Sequence, residues 1–373
     1  MKNWILFLCI ISTHVSFGQK IDATYVNNYF DSLNKINKFS GQVLIAKGEN
    51  ILYKNSFGEA NYSSHQSFND STRFQIASLS KQFTASAILL LQERELLNID
   101  SAFVNYFPEF PFKGITIRQM LNHTSGLPEF FPKMTNDMNT TIVNGNQKMI
   151  EMLQSKKYKL EFEPGTQWQY CNISYCLLAS LIENLSGKSY DTFMKENLFL
   201  PAQMYHTTAE LTTDIRTIKG DNLALGYVYD KTTKKFIRAE ELPQFNLVYW
   251  LGGFYGDGSV ISTASDLLKW SQALKNTYPL SQNIVEQLTE IQYLKSGEKA
   301  NAWGNHYGLG WSILNSQIGL EGKIIEHSGE QPGFRARLTI ALEHDLTIVI
   351  LSNLEIERFW ELQILSKAIS SPQ

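Results

Sequence analysis

The sequence predicts a mixed α/β (α+β) protein: an antiparallel sheet, built from N-terminal and C-terminal strands, is flanked by helices and holds an inserted all-helical lobe. Two observations lead to this prediction. Segments rich in β-branched residues, with alternating polarity, occur at 42–58 and again at 308–352. Between them, apolar residues recur mainly at helical spacing. Strands at both ends of a helical middle indicate one sheet that the two termini share.

The elements follow from these signals in chain order. Residues 42–58 contain two β runs joined at Gly48-Glu49-Asn50, which predicts a hairpin. Residues 74–97 form a long apolar run typical of a buried helix, and 115–128 predict a short amphipathic helix ended by a turn. Residues 256–274 predict a turn, a short strand and a helix capped by Thr263 or Ser265. Further helices are predicted at 147–153, 173–185, 190–198 and 356–369, and further strands at 224–229, 235–238, 308–314, 323–327, 335–342 and 346–352.

Composition narrows the class of protein. The chain has 373 residues, of which 43% are hydrophobic and 18% charged, with a formal net charge of −3. These values are those of an ordinary globular protein with enough apolar material for a large core. No linker or repeat divides the chain, so residues 19–373 are expected to form one domain with its helical lobe at roughly 98–220. No basic patch stands out, and nucleic acid is not an expected partner.

The N-terminus resembles a signal peptide covering residues 1–18. Lys2 supplies a positive start, residues 4–11 are apolar, and Ser16-Phe17-Gly18 provides a small-x-small cleavage site. The apolar run is too short to span a bilayer, although an uncleaved anchor is the alternative interpretation. No later segment has the length of a membrane helix. The sequence therefore predicts an exported protein, periplasmic or secreted, with no transmembrane segment in the mature chain.

The first candidate motif is Ser78-x-x-Lys81, at the start of the apolar run FQIASLSKQFTASAILLL. On a helix, the two side chains lie one turn apart on the same face. A serine at a helix N-terminus offers its own backbone N–H to an oxyanion. A desolvated lysine loses preference for its charged form and, as a neutral amine, can accept the serine proton. The alternative is that Ser78 only caps the helix and that Lys81 is a surface residue.

The second candidate motif is Tyr170-Cys171-Asn172, which ends an extended segment before an apolar helix. Residues two apart on an extended backbone point to the same side. A phenol near a lysine and a serine can relay a proton, and an amide can hold a substrate carbonyl. A packing tyrosine followed by an asparagine helix cap explains the pattern equally well.

The third candidate motif, His327-Ser328-Gly329, ends one predicted strand, and the next begins at Gly333. Small residues at a strand edge let a ligand backbone lie against it. A backbone N–H beside Gly329 could then serve as a second oxyanion donor. The alternative is a hairpin turn with a solvent-facing histidine.

Together, the three motifs resemble the serine β-lactamase and penicillin-binding protein superfamily, in order and in rough spacing. Specifically, they resemble its class C branch, which includes DD-carboxypeptidases, D-aminopeptidases and esterases. LNHTSGLP at 121–128 and GDGSVISTASDLLKW at 256–270 support the resemblance, which extends from about residue 23 to 367.

The resemblance implies a β-lactamase/transpeptidase-like fold and a role for each motif residue. Ser78 corresponds to the acylated nucleophile, and Lys81 and Tyr170 to the pair that transfers protons. Asn172 corresponds to a ligand of the substrate amide. The N–H groups of Ser78 and Glu330 correspond to the oxyanion hole. His327, Ser328 and Gly329 then belong to the substrate-binding strand.

Two departures from the class C pattern affect the expected substrate. His327 stands where class C β-lactamases have a lysine, and a histidine is mostly neutral at pH 7. This favours the peptidase and esterase members over efficient β-lactam hydrolysis. Arg335 and Arg337 share a strand face and either add a charge nearby or lie at the surface.

The second departure is Cys171, which stands where serine is common and has no assigned function. It and Cys176 are expected neither to form a disulfide nor to bind a metal.

Other hydrolase classes lack their motifs here. No serine lies in Gly-x-Ser-x-Gly, and the seven histidines form no zinc-binding spacing, so neither a metal nor a cofactor is expected. The sequence predicts a serine hydrolase for an amide or ester bond, of the DD-peptidase, D-amino-acid peptidase or esterase type. The expected partner is a small-molecule, peptide or ester substrate, which could derive from peptidoglycan. The alternatives are a class C-like β-lactamase and a non-catalytic penicillin- or peptidoglycan-binding protein.

Two loops, 130–146 and 231–255, are expected to select the substrate. The second overlaps FNLVYWLGGFYG, whose aromatic residues indicate either an apolar or extended substrate or core packing.

Overall fold

The computed structural model describes residues 20–129, 134–155, 157–209, 222–317, 319–355 and 369–370. The predicted signal peptide at 1–18 and most of the helix predicted at 356–369 lie outside these ranges. The described strands are β1 Lys20–Ile21, β2 Gly41–Lys47, β3 Asn50–Phe57, β4 Phe74–Gln75, β5 Tyr227–Asp230, β6 Lys235–Arg238, β7 Ile261–Ser262, β8 Asn301–Ala302, β9 Asn305–Tyr307, β10 Ser312–Gln317, β11 Leu320–Gln331, β12 Phe334–Ala341, β13 Leu346–Ser352 and β14 Ile369–Ser370. The described helices are α1 Ala23–Lys35, α2 Ser80–Glu93, α3 Ile117–Leu121, α4 Asn146–Gln154, α5 Asn172–Ser186, α6 Tyr190–Met194, α7 Leu247–Trp250, α8 Ala264–Lys275 and α9 Gln282–Leu288.

An eight-stranded antiparallel sheet forms the centre of the protein, in the order β3-β2-β13-β12-β11-β10-β9-β8. The hairpin β2–β3 from the N-terminal part pairs with β13 from the C-terminal part, with Val43 opposite Ile350. The sheet shared by the two ends of the chain is therefore confirmed. The helices α3 to α6, at 117–194, come from the middle of the chain, as predicted.

Apolar side chains cover both faces of this sheet. In β2, Val43 and Ile45 pack with Val26 and Phe30 of α1 on one face. Leu44 and Ala46 point the other way and join the larger core that includes α2. Alternation along each strand sends successive residues to opposite faces, so a strand between two helical layers is apolar throughout. Helix α2 consequently lies in the interior, and its residues 80–91 are buried.

The long helix starts later than the sequence suggested. Phe74 and Gln75 form the short strand β4, paired with β7, and the backbone N–H of Ile76 bonds to the carbonyl of Val260. Ala77 has a positive φ of 45°, which a continuous α-helix does not allow. Residues Ala77–Leu79 then make one 3₁₀ turn before α2 begins at Ser80. The prediction of helix from residue 74 was wrong because contacts with β7 decide this segment.

Strand β11 is longer than predicted and runs through the third motif. It pairs with β12 from Ile324–Ala341 up to Gln331–Phe334. The hairpin turn is Pro332-Gly333, where Gly333 has a φ of 80° that suits glycine. His327-Ser328-Gly329 therefore lies within a strand, and the prediction that it ends one was wrong. Helices α1 and α9 were not predicted, and the N-cap of α8 is Thr263.

Candidate active site

Ser78 lies on a tight turn between β4 and α2. Neighbouring Ser80 fixes this turn, because its hydroxyl donates to the carbonyl of Ala77 at 2.7 Å and accepts the N–H of Val260 at 2.9 Å. From the opposite side, β11 approaches so closely that a Cβ on Gly329 would lie 2.0 Å from the carbonyl oxygen of Ile76. Glycine at this position is therefore required by the Ser78 turn itself, and not by a ligand backbone as the sequence suggested.

Lys81 is fully buried, and its ammonium group makes three hydrogen bonds. Its Nζ lies 3.0 Å from Ser78 Oγ, 2.7 Å from Asn172 Oδ1 and 2.8 Å from the carbonyl oxygen of Asp257. The alternative of a surface lysine is thereby excluded. Three acceptors match the three N–H donors of a charged lysine, which is the protonated form of the group.

The protonation state of Lys81 differs from the sequence-based expectation. Burial acts to lower the pKa of Lys81, but Tyr170, the Asp257 carboxylate and Glu129 outweigh burial and raise it above its usual value. The expectation of a lysine neutralised by desolvation was wrong, because buried partners surround it.

Tyr170 lies beside this ammonium group. Lys81 Nζ is 4.8 Å from the centroid of the Tyr170 ring. Burial raises the pKa of Tyr170, while the charge of Lys81 and hydrogen bonding with Lys81 and Ser78 oppose that rise. In the free protein the pair therefore holds both protons, as an ammonium group and a neutral phenol.

Asn172 is the first residue of α5, and its side chain does not cap the helix. Cys171 occupies the N-cap position without a side-chain cap, and the Glu129 carboxylate accepts the N–H of Asn172 instead. The side-chain oxygen of Asn172 accepts a hydrogen bond from Lys81. The NH₂ group of the same amide therefore points away from Lys81 and can donate to a different group.

His327 is buried within β11 and is not a solvent-facing turn residue. Its Nδ1 lies 2.6 Å from the carbonyl oxygen of Ser328, and its Nε2 lies 3.1 Å from the hydroxyl of Tyr307. Burial, together with the nearby charge of Lys81, lowers the pKa of His327 to about 3. The imidazole is neutral across the physiological range, in agreement with the sequence-based expectation.

Arg335 and Arg337 do not extend the site. They pair in register with Glu330 and Ser328, whereas His327 pairs with Leu338 in the core. Residues paired directly across two strands share a face, so both arginines lie on the face opposite His327. Each is held in an ion pair, Arg335 with Glu355 and Arg337 with Glu326. Both side chains are partly buried, so neither is a fully exposed surface residue, and the charge of Arg337 acts on His327 only from the opposite face, where it helps burial and Lys81 to lower the pKa of that imidazole.

The side chains of Ser328 and Glu330 leave β11 on this same opposite face. The backbone N–H of Glu330, in contrast, points away from β12. Gln331 and Phe334 flank the two-residue turn and form a hydrogen-bonded pair, so the next pair, Glu330 with Arg335, is a non-hydrogen-bonded one. On that side, the pairing of β11 with β10 ends at Glu326.

Four residues around the site were not singled out from the sequence: Asp257, Glu129, His123 and Tyr307. Asp257 and His123 lie inside the two supporting segments, so a signal for them existed. Glu129 directly follows the first of these segments. Tyr307 carried no signal, because only the pairing of β9 with β10 brings it to His327.

The two loops expected to select a substrate contact each other. Asn144 bonds twice to the carbonyl of Trp250, and Gly145 lies against Gly253. Within the aromatic segment, Trp250 and Phe254 are buried in the large core. For these two residues core packing is the observed role. Residues 130–133 lie outside the part of the chain that the structure describes.

The described residues contain no metal centre, no membrane-spanning helix and no disulfide. They contain no group of three or more His, Cys, Asp or Glu side chains placed to hold a metal ion. Within the same residues, no helix has the length and apolar character needed to cross a membrane. Cys171 and Cys176 are both buried and free.

The fold is that of the β-lactamase/transpeptidase-like proteins. The profile of the Beta-lactamase family matches residues 26–361, and the chain belongs to this family of serine hydrolases. The fold agrees with that of a class C beta-lactamase, with a TM-score of 0.70 and 20% identity over 95% of this chain and 99% of that one.

Two relatives are similar over most of the sequence. Penicillin-binding protein 4* of Bacillus subtilis (strain 168) is 36% identical over 344 residues, which cover 92% of this chain and 74% of the relative. A D-aminopeptidase of Brucella anthropi is 28% identical over 321 residues, covering 84% of this chain and 56% of the relative. The chain thus spans about three quarters of the first relative and little more than half of the second.

Proposed function

We propose that this protein is an exported hydrolase that cleaves an amide or ester bond through an acyl-enzyme on Ser78. Peptides or amides of D-amino acids, with related esters, are the proposed substrates. The contact that carries the proposal is the 3.0 Å hydrogen bond between Lys81 Nζ and Ser78 Oγ in a buried site. A buried lysine bound to a serine hydroxyl is arranged for proton transfer to and from a nucleophile.

In the proposed acylation step, Ser78 Oγ attacks the substrate carbonyl. Its proton passes to the Lys81–Tyr170 pair once that pair has lost one proton. The N–H groups of Ser78 and Glu330 stabilise the oxyanion from the turn and from the open edge of β11. When the tetrahedral intermediate collapses, the same pair protonates the leaving amine or alcohol. Water then attacks the ester to release the acid and free Ser78.

Asn172 and His327 are proposed to position the substrate. The bond from Lys81 to Asn172 Oδ1 orients the amide so that its NH₂ group can donate to a substrate carbonyl. A neutral His327 presents no cation to a substrate carboxylate, which disfavours β-lactams relative to neutral amides and esters. The name of the D-aminopeptidase relative supports the choice of D-amino-acid substrates.

The acylation site is tested by intact-mass measurement after treatment with a fluorophosphonate. We expect one adduct on the wild type and on Ser80→Ala, and none on Ser78→Ala. Ser80 is the matched control because it lies on the same turn and its hydroxyl has two structural hydrogen bonds. An adduct that persists on Ser78→Ala would contradict the assignment.

The substrate class is tested with a D-alanyl-D-alanine peptide, D- and L-amino-acid amides, a nitrophenyl ester and a chromogenic cephalosporin. We expect turnover of the D-amino-acid amide and the neutral ester to exceed that of the L-amide and the cephalosporin, and the D-alanyl-D-alanine peptide, whose C-terminal carboxylate meets the same neutral His327, to be slower than the D-amide. Faster turnover of the cephalosporin would favour the class C β-lactamase alternative. An adduct without turnover of any compound would favour a penicillin-binding role.

A further inference from the structure

A chain of hydrogen bonds joins the second motif to the third through two residues without an assigned role. The backbone N–H of Cys171 donates to His123 Nδ1 at 3.1 Å. His123 Nε2 lies 3.2 Å from the hydroxyl of Tyr307, and that hydroxyl lies 3.1 Å from His327 Nε2. His327 Nδ1 lies 2.6 Å from the carbonyl oxygen of Ser328.

Backbone groups at both ends determine the direction of every bond in this chain. Because an N–H can only donate, His123 Nδ1 is an acceptor and the proton of the neutral ring is on Nε2. Because a carbonyl can only accept, His327 Nδ1 carries the proton and Nε2 is an acceptor. The hydroxyl of Tyr307 therefore accepts a hydrogen bond from His123 and donates one to His327. Every group in the chain, from the Cys171 N–H to the Ser328 carbonyl, then has a hydrogen-bond partner.

A proton added to His327 would disrupt this arrangement. Its Nε2 would become a donor, and the Tyr307 hydroxyl would lose the acceptor of its own proton. The oxygen of Tyr175, whose hydroxyl donates to the carbonyl of Leu121 at 2.6 Å, is the other acceptor that faces Tyr307. Burial and the charges of Lys81 in α2 and Arg337 in β12 act to lower the pKa of His327, whereas its bond to the Ser328 carbonyl acts to raise it. The neutral Tyr170 ring lies 6.3 Å away. His123, Tyr307 and His327 are respectively 0%, 1% and 6% exposed, so solvent cannot readily replace a lost bond.

We propose that His123 and Tyr307 are positioning residues that hold His327 as the neutral Nδ1–H tautomer and tie the Tyr170–Asn172 segment to β11. This inference rests on the proposed function for its kinetic consequences, but the tautomers are a property of the folded protein alone. Because Arg337 lies on the opposite face of β11, Lys81 is the cation on the Ser78 side of the third motif. Both ring nitrogens of His327 are bonded to Tyr307 and Ser328, so His327 can exchange a proton with a substrate only by breaking one of these bonds.

The first experiment measures tautomers by ¹⁵N NMR of the imidazole rings in the wild-type protein, with assignments from His123→Gln and His327→Gln. We expect a protonated Nδ1 on His327, a protonated Nε2 on His123, and no titration of either ring between about pH 5 and 8. An Nε2–H form of His327, or its titration in this range, would overturn the proposal. This measurement does not depend on any activity of the protein.

The second experiment compares Tyr307→Phe with Tyr227→Phe, a matched control that also removes the hydroxyl of a fully buried tyrosine but lies outside the chain. For Tyr307→Phe we expect kcat/KM to fall about tenfold, the effect of one lost hydrogen bond. We also expect the ¹⁵N resonance of His327 Nε2 to shift and its pKa to rise from the wild-type value, because a hydrogen bond that only the neutral ring can accept is lost, while burial and Lys81 still hold this pKa below its usual value. The control should leave the His327 signals unchanged.

Unchanged ¹⁵N signals and an unchanged pKa of His327 in folded Tyr307→Phe would refute the positioning role even if the rate decreased. If Tyr307→Phe fails to fold, the wild-type NMR measurement still decides the proposal. Inactivity of the wild type on all substrates, with the expected tautomers present, would instead count against the proposed function.

Discussion

At the residue scale, the contacts of Lys81 determine how the site handles protons. Its three acceptors hold it as an ammonium group, and Tyr170 beside it is a neutral phenol. Neither group alone is a ready base in the free protein. In the proposed mechanism the two groups therefore act together, since the loss of a single proton from the pair creates the base for Ser78.

Removal of either member of this pair should abolish most activity. We expect Lys81→Met and Tyr170→Phe each to reduce kcat about 10²–10⁴-fold, the usual contribution of a general acid–base group. The double variant should be little slower than either single variant, because both groups serve one proton path. Steady-state kinetics on the nitrophenyl ester, with circular dichroism as the control for folding, provides the test. Near wild-type turnover in either variant would leave that residue with a packing role only.

The same pair determines the pH dependence. The pKa values of Lys81 and Tyr170 are both raised, and in the proposed mechanism the active form of the pair has lost one proton. We therefore expect kcat/KM to increase with pH from about pH 6 to about pH 9. His327, with its pKa lowered to about 3, should add no ionisation in this range. A rate that decreases over the same interval would contradict this protonation scheme.

A cation in place of His327 should change substrate choice. We expect His327→Lys to increase kcat/KM for an anionic cephalosporin relative to a neutral ester by about tenfold, because the added charge lies in a region of reduced dielectric. His327→Gln is the matched control, since it removes the imidazole without adding a charge. Equal ratios for the two variants would show that this position does not sense substrate charge.

At the scale of the elements, the site depends on the approach of β11 to the turn before α2. A Cβ on Gly329 would lie 2.0 Å from the carbonyl oxygen of Ile76 and 3.2 Å from the backbone nitrogen of Ser78. The two backbones that carry the proposed oxyanion donors therefore touch at this glycine. A side chain here must separate the strand from the turn.

Gly329→Ala should damage both activity and stability. We expect a loss of about 1–3 kcal/mol in the free energy of unfolding, typical of overpacking. We also expect a decrease in kcat/KM of about 100-fold, because the oxyanion donors move apart. Gly114→Ala is the matched control, since a Cβ at this exposed position would meet nothing within 4 Å. Urea unfolding and ester kinetics on both variants provide the measurements, and an unchanged rate for Gly329→Ala would refute this coupling.

At the scale of the whole molecule, the pairing of β2 with β13 joins the two ends of the chain in one sheet. The helices from the middle of the chain cover one face of this sheet, and α2 is buried between the sheet and those helices. The proposed site lies where these parts meet, with Ser78 and Lys81 from the start of α2, Tyr170 and Asn172 from the start of α5, and His327 from β11.

Export is a prediction for the whole chain. We expect cells that express residues 1–373 to place the product outside the cytoplasm, with a new N-terminus at Gln19, because residues 1–18 have the charge and apolar pattern of a signal peptide. A chain that begins with methionine followed by Gln19 should stay in the cytoplasm and is the control. Cell fractionation with mass spectrometry of the N-terminus decides between cleavage and an uncleaved anchor. Recovery of the full-length product from the cytoplasm would contradict export.

The sequence by itself determined the class of the protein, the sheet shared by its two ends and the order of the motifs. These features depend on local periodicity and on residues whose chemistry is readable in short segments. The residues Ser78, Lys81, Tyr170 and His327 could be selected because each lies in a short motif at a predicted boundary. Asn172 and Gly329 could also be selected, although the structure gives a different reason for Gly329, which is its contact with the Ser78 turn.

Only the tertiary structure decided the protonation states and the neighbours that control them. Lys81 was expected to be neutral, because burial was visible in the sequence while its partners Asp257 and Glu129 were not. Tyr307 could not be found, since it reaches His327 only through the pairing of β9 with β10. The start of α2 depended on the same kind of information, because β7 and β11 shape the turn at Ala77. Contacts between distant segments set the pKa values and the backbone strain of this site, and local sequence patterns do not encode them.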